Sequence, residues 1–381
     1  MHERLSSKRF WFAVATLVGS TIGIGMYGIP FVFVKSSLSV GLFFFCLVTL
    51  LILCTNLLYG EVILRTHRRH QFVGYVHHYL GLWPQRFNKL NFWLAVYGAL
   101  VGVIIIGGDF LAQLGGHIFA IQSLWYHLVF AILATIFVAR GLKTVEKIDF
   151  GMMIATIVLV ASLSAVAIHT GDRQITFFEI NHYWFLPFGV FLFALNGIPG
   201  LPLLREALIG KERLIRPAII LGTLIPAICY VAFAFAVTRI SGEAVSPDAI
   251  SGLGEILGKP AVIIGSIFGF LTSLTIFINM ATALQESLYQ DFSIKGDWRI
   301  LLVTGAPFLL YLLGIRNFID VISLVGGVAI SIDTILLVFV YISARKHGTR
   351  LPEYSIRYPN WFMYVLILFF ALGAIYTIVA S

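Results

Sequence analysis

The sequence predicts an all-α integral membrane protein: one transmembrane domain over residues 1–381, with about eleven spanning helices. Three observations carry the prediction. The first is composition. Of 381 residues, 59% are hydrophobic and only 12% are charged, with a mean hydropathy of +0.94; a soluble domain is charged at about one residue in four. The second is the placement of Lys and Arg, which alternates from loop to loop. The third is that the first and sixth apolar stretches are each interrupted near the middle by glycine and proline.

A spanning helix needs about 20 mostly apolar residues. The stretches that qualify are 10–34, 39–64, 90–114, 122–139, 149–169, 183–209, 217–239, 260–289, 298–313, 318–343 and 359–379. Residues 1–9 are short and basic, and no small-residue cleavage site follows, so the first span is expected to stay as an anchor. Two pieces do not span. Residues 71–83 are short and mix histidine with aromatics, and 242–258 are polar and glycine-rich, with room for a short helix outside the membrane. The 260–289 stretch exceeds what a bilayer needs and is expected to tilt or project beyond it. Cys46, Cys54 and Cys229 all fall in spans. They are odd in number, lack metal-like spacing and read as small core residues.

With a cytoplasmic N-terminus, Lys35, Arg173, Arg239, Lys259 and Arg316 face outside, and every other Lys and Arg of the 26 faces inside. That imbalance follows the positive-inside rule. It supports the span count, because one span more or fewer would reverse the side of every later loop. The expected location is therefore the cell (inner) membrane, multi-pass, with Ser381 outside. The net charge of +8 then belongs to basic cytoplasmic loops lying on anionic lipid, and no nucleic-acid partner is expected. The run Arg65-Thr66-His67-Arg68-Arg69-His70 with His77-His78 reads the same way. No Cys or acidic residue lies near it, so no metal site is expected.

The first span holds Gly19-Ser20-Thr21-Ile22-Gly23-Ile24-Gly25-Met26-Tyr27-Gly28-Ile29-Pro30. In a helix interior, glycine costs about 1 kcal/mol and proline about 3. Irregular backbone at membrane depth survives only where it is packed in protein or lines a cavity. A close-packing face of small residues accounts for this stretch equally well when it is taken alone. The sixth span changes the balance. It opens on Phe185-Leu186-Pro187-Phe188-Gly189 and carries Ala194-Leu195-Asn196-Gly197-Ile198-Pro199-Gly200-Leu201-Pro202 at its middle. Spans one and six each begin a set of five. Five is odd, so the second set (about 183–343) is inverted relative to the first (about 10–170), and 359–379 is an added helix. Interrupted segments at matching positions of inverted halves point to the binding site of a secondary transporter.

In this arrangement the outer half of span one starts near Ile24, and its free N–H groups at Gly23, Ile24 and Gly25 suit a carboxylate. Free carbonyls near Ser20, Thr21, Ala194 and Leu195 suit an ammonium. An α-amino acid carries both groups. No charged side chain is then needed at mid-membrane.

Charged groups within spans are functional candidates by default. Asp109, after Gly107-Gly108, faces an outer vestibule, carries a proton or pairs with a cation. Asp333, in Ser331-Ile332-Asp333-Thr334, is a candidate for a proton or gating role. Glu61 and Glu286, and Arg205 with Glu206, read as gate or interface ion pairs near inner span ends. Thr272, Ser273 and Thr275 place hydroxyls near the middle of the 260–289 span; with free carbonyls they would make an oxygen site for Na⁺, although such hydroxyls commonly bond their own helix. No catalytic grouping, HExxH or phosphate loop occurs, so neither an enzyme nor an ATP-driven pump is expected, and no cofactor.

The segment from Gly19 to Met26 with Pro30 resembles the first helix of bacterial aromatic amino acid permeases and their auxin/amino acid permease relatives. Asn196-Gly197-Ile198-Pro199, with Pro202 and Arg205-Glu206, resembles their sixth helix, and Tyr59-Gly60-Glu61-Val62 more weakly their second. These belong to the amino acid–polyamine–organocation superfamily. The resemblance implies the leucine-transporter fold of five-plus-five inverted repeats and substrate contacts at Ser20, Thr21, Gly23, Ile24, Gly25, Ala194, Leu195, Asn196 and Gly197. It also implies contacts from span three, with Tyr97 and Val101 as candidates. Some relatives hold sodium at positions like Gly19 and Ile22 with hydroxyls like Thr272 and Ser273, and others use protons, so the coupling ion is H⁺ or Na⁺.

The function expected is secondary transport of an amino acid, aromatic or large and neutral, by rocking of spans one, two, six and seven against a scaffold. A sensor of the same fold, binding without transport, is the first alternative. Another small amine or a metal ion as cargo is the second, although only Met26 near the breaks is a metal-ligand type.

Overall fold

The computed structural model describes residues 2–116, 122–140, 145–170, 176, 177, 179, 181–292, 298–356 and 358–380. Of the loop cations named or counted above, Lys143, Arg173, Lys295 and Arg357 lie outside these residues, as do the side chains of Arg4 and Lys147. Every regular element among the described residues is helical. The first half runs α1 (His2–Thr21), α2 (Gly25–Lys35), α3 (Leu38–Arg65), α4 (Phe72–Leu80), α5 (Leu82–Gly115), α6 (Ser123–Ala139) and α7 (Val145–Thr170). The second runs α8 (Leu186–Leu195), α9 (Gly200–Ala207), α10 (Ile215–Ser241), α11 (Gly254–Leu257), α12 (Lys259–Phe292), α13 (Trp298–Leu312), α14 (Phe318–Leu324) and α15 (Ser331–His347), and α16 (Asn360–Ala380) ends the chain.

Length and composition allow eight of these stretches to cross a membrane, with α8 and α9 counted as the single stretch Leu186–Ala207. The pair α1 and α2, bent by 60° at its break, makes a ninth. The eleven-span expectation also needs α6 and α13, which have 17 and 15 residues. At about 1.5 Å per residue these reach roughly 26 and 22 Å, against a hydrocarbon core of about 30 Å. Residues 71–83, expected not to span, form the nine-residue α4 and the start of α5. The 242–258 segment folds as 3₁₀ turns at Gly242–Ala244 and Ser251–Leu253, followed by the four-residue α11.

The two interrupted stretches lie side by side, α1 against α9 and α2 against α8. Helix α5 packs along α12, and α3 touches α8, α10 and α15. Small residues allow the approach. A Cβ on Gly28 would stand 3.1 Å from Ile319 Cδ1, and one on Gly222 would stand 2.6 Å from Leu17 Cδ2. The stretch 318–343, expected to be one regular helix, contains a π turn at Val325–Ile330. The cause is local. Gly326 lies so close to the Gly189 backbone of α8 that a Cβ there would overlap the Gly189 carbonyl. At the far end of α15, residues 349–356 strap across α3. Thr349 and Arg350 N–H groups donate to the Arg65 carbonyl (2.9 and 3.1 Å), and the Tyr354 hydroxyl donates to the Leu57 carbonyl (2.8 Å).

Candidate functional site

At the first break, residues 22–24 leave the helix. The Ile22 N–H still donates to the Val18 carbonyl (2.9 Å), and α2 starts with turn bonds from Met26 and Tyr27 to the Gly23 and Ile24 carbonyls. The gap is bridged by a side chain that the sequence did not single out. Tyr230 of α10, fully buried, donates its hydroxyl to the Thr21 carbonyl (2.9 Å) and accepts the Gly23 N–H (3.4 Å). Both were expected to be free for a ligand. Among the described residues no acceptor takes the N–H groups of Ile24 and Gly25. The Ser20 and Thr21 hydroxyls donate to the Leu17 carbonyl, both at 2.9 Å.

At the second break, Asn196 leaves the helix with extended ψ, and its Oδ1 accepts the Ile198 N–H (3.3 Å). The Ala194 and Leu195 carbonyls receive no backbone donor from the residues that follow. The two breaks touch at three glycines. A Cβ on Gly25 would stand 2.7 Å from Ala194 Cα, and one on Gly197 would stand 3.1 Å from Thr21 Oγ1; one on Gly200 would overlap the Ser20 hydroxyl. The free N–H groups at the start of α2 therefore adjoin the free carbonyls at the end of α8. Asn56 of α3 closes the third side. It is buried, donates to Thr223 Oγ1 (3.1 Å), and its Oδ1 has no partner.

The flanking candidates separate. Ile24 and Gly102 of α5 meet at van der Waals distance, and Val101 beside Gly102 is buried. Tyr97 instead turns to α13, its hydroxyl 3.5 Å from the Leu302 carbonyl. On α12, Ile276 reaches Gly23. Ser273 donates to its own helix at Gly269 (2.8 Å), whereas the buried Thr272 hydroxyl faces the buried hydroxyl of Tyr27 on α2. No side chain crowds Gly19, and Ile22 is partly buried at the break.

The candidate charges lie away from the breaks. Asp109 faces His127 of α6, Oδ1 to Nε2 at 3.2 Å, and that imidazole stacks on Tyr311. Glu61 is fully buried. It accepts from Arg65 (2.8 Å), Ser355 (3.0 Å) and the Ile356 N–H (2.6 Å), which fastens the strap to α3. Arg205 does not pair with Glu206. It is buried and donates to the Thr66 carbonyl (3.0 Å) and the Tyr75 hydroxyl (3.5 Å), while Glu206 is exposed. Consecutive residues on a helix point about 100° apart, so the pair could not share one face. Asp333 is held by two amides of α5, Asn88 and Asn91. Neither amide was singled out from the sequence, nor were His127 and Tyr230. A tyrosine or amide inside an apolar span has to find a partner, and that rule was the signal available. Among the described residues no group of three or more His, Cys, Asp or Glu could hold a metal.

The comparisons with known proteins agree with this architecture. Glutamine transporter 2 of Aliivibrio fischeri is 25% identical over 362 residues, covering 88% of this chain and 89% of that protein. The crystal structure of MhsT in complex with L-phenylalanine matches with a TM-score of 0.61 at 17% identity, covering 97% of each chain, and so shares the fold. The model of the tryptophan/tyrosine permease family matches residues 6–378. The chain belongs to the tryptophan/tyrosine permease family, which makes it a multi-pass membrane protein and an amino acid permease, not an enzyme.

Proposed function

We propose that the chain moves its amino acid by ion-coupled alternating access and holds the α-carboxylate and α-amino groups between the two breaks. One observation carries this reading: the unpartnered N–H groups of Ile24 and Gly25 adjoin the unpartnered carbonyls of Ala194 and Leu195. N–H groups at a helix start attract an anion, and carbonyls at a helix end attract a cation. A zwitterion matches both without a charged side chain. Ser20, Thr21, Gly23, Asn196 and Gly197 complete the lining, and Tyr230 holds the first break in shape.

The substrate side chain is aromatic, or large and neutral. The family's description supports the first, and a relative named as a glutamine transporter supports the wider class. The coupling ion is H⁺ or Na⁺. For sodium, the Gly19 and Ile22 carbonyls with the hydroxyls of Thr272 and Ser273 are the candidate ligands. The repeats are 10–170 and 183–343, and with α6 and α13 as short spans the count is eleven. The placement is a cell membrane with the N-terminus and basic turns inside, where exposed Arg68 and Arg69 meet anionic lipid.

Counterflow in proteoliposomes tests the reading. A transporter exchanges labelled for unlabelled amino acid, whereas a sensor binds it in a thermal-shift screen and exchanges none. Absence of both binding and exchange across the amino acids would refute the assignment.

A further inference from the structure

Asp333 stands on α15 just beyond the π turn. Its Oδ1 accepts from Asn88 Nδ2 (2.7 Å) and Asn91 Nδ2 (2.8 Å), and Asn91 also donates to the Ala329 carbonyl (2.9 Å). Both asparagines are on α5 and buried, Asn88 to 1% exposure. Among the described residues no Lys, Arg or His pairs with Asp333. Two oxygens near it are buried without a partner: Asn88 Oδ1 and the Tyr59 hydroxyl of α3, which lies within electrostatic reach of Asp333. Several other titratable groups on the elements packed here are engaged elsewhere. Tyr75 of α4 meets the Tyr59 ring and bonds Arg205; Glu61 pairs with Arg65; Tyr341 of α15 donates to Glu61 and to the Ile356 carbonyl.

The orphaned Asn88 Oδ1 is the informative atom. An ionised carboxylate has only acceptors, so beside Asn88 it leaves the amide oxygen buried and unpaired, at the cost of a desolvated polar group. Turning the amide over only sets its oxygen against Asp333 Oδ1 instead. A carboxylic acid resolves the arrangement. Amide N–H to acid C=O and acid O–H to amide C=O close a two-bond ring, and the acid proton gives the Asn88 oxygen a donor that an ionised carboxylate cannot supply. The carboxyl and its amides ride on different helices, α15 and α5, and the π turn gives α15 a local irregularity of the kind that recurs at functional sites.

We propose that Asp333 is a proton-binding site of the transport cycle, neutral while it is paired with Asn88 and Asn91 and releasing its proton when α5 and α15 separate. The step is binding and loss of H⁺ at Asp333 Oδ2, with no other bond changed. The proposal rests on the transport reading above and narrows its coupling ion to the proton.

Two measurements test it. Infrared difference spectra of the purified protein should show a carboxylic-acid C=O band at neutral pH that is absent in D333N. In N88A that band should move to higher frequency, because the C=O has lost a donor. In proteoliposomes, D333N should lower the ratio of pH-gradient-driven accumulation to counterflow by about tenfold or more, the equivalent of about one pKa unit of lost proton linkage. The proposal fails if the wild-type band is missing or survives in D333N, or if D333N keeps the wild-type ratio. It also fails if a sodium gradient alone drives full accumulation. Failure of the transport reading looks different: wild-type protein would show no counterflow, and the infrared band would still report on Asp333.

Discussion

Replacing Tyr230 by Phe removes one oxygen and leaves the ring that packs α10 against the first break. The Thr21 carbonyl loses a donor at 2.9 Å and the Gly23 N–H loses an acceptor at 3.4 Å. Thr21 is buried and Gly23 half-buried, so water replaces neither partner fully. A buried carbonyl left unpaired costs about 1–2 kcal/mol, and the long Gly23 contact adds only about 0.5. The total of about 2 kcal/mol corresponds to roughly a thirtyfold change in the population of the bridged break. If amino acid binding needs that geometry, Y230F should bind its substrate up to about thirtyfold more weakly, with protein yield and insertion unchanged. Equilibrium binding on purified protein and the counterflow KM both read this. An affinity and KM within about twofold of wild type would show that Tyr230 does not organise the site.

Three further outcomes follow from the same geometry. G25A should abolish transport in correctly inserted protein, because its Cβ meets the Ala194 backbone at 2.7 Å, whereas G200A meets the movable Ser20 hydroxyl and should be rescued by S20G; uptake by the double variant no better than that of G200A would refute the contact. E61Q strips the charge from the two hydrogen bonds, from Ser355 and the Ile356 N–H, that fasten the strap, costing about 2–4 kcal/mol, and limited proteolysis should then cut residues 348–356 faster; an unchanged cleavage rate would count against the strap. Burial, then His78, Arg68 and His77, holds the His70 imidazole below its ordinary value. The fold therefore favours neutral His70, so its stabilising effect is complete above the unfolded value of about 6.5 and is lost as pH falls through the lower folded one. H70Q should flatten that acid limb in a thermal-unfolding series, and an identical limb would refute it.

The helical architecture was legible because it rests on one-dimensional signals. Apolar runs give the spans, and Gly23 and Gly25 with Asn196 and Pro199 give the breaks, since such residues are costly in any continuous helix. Element ends differ by a few residues, except at α1, which starts at His2 where the apolar stretch starts at 10, and at α5, which starts at Leu82 because the segment after Gly81 continues directly into the span. The contacts across the break were not legible. Tyr230, Asn56 and Arg205 act through neighbours far away in sequence, and one tyrosine in an apolar run says nothing about which carbonyl it meets. Arg205 and Glu206 part for a local reason: adjacency in sequence is separation around a helix. The π turn was hidden because the backbone it packs against, Gly189, belongs to another helix.

Packing and binding looked like rival explanations for the glycines of the first span; on the proposed reading they are one requirement. Gly25 adjoins Ala194 so closely that a methyl group would collide with backbone. That same approach is what sets the N–H end of α2 beside the carbonyl end of α8. A wider separation would leave the partial charges too far apart to hold the two ends of one amino acid, whose charged groups are joined through a single carbon. Rocking transport adds a further condition: the contact has to be made and broken without changing either half-helix. A glycine-to-backbone contact meets it, because it contains no side chain to reorder and no hydrogen bond to exchange. On this argument the small residues of both breaks are fixed by the spacing of the ligand's two charges, and substrate selectivity is left to what surrounds them, the Ile24 side chain with the space left by Gly102 on one side and Asn56 on the other.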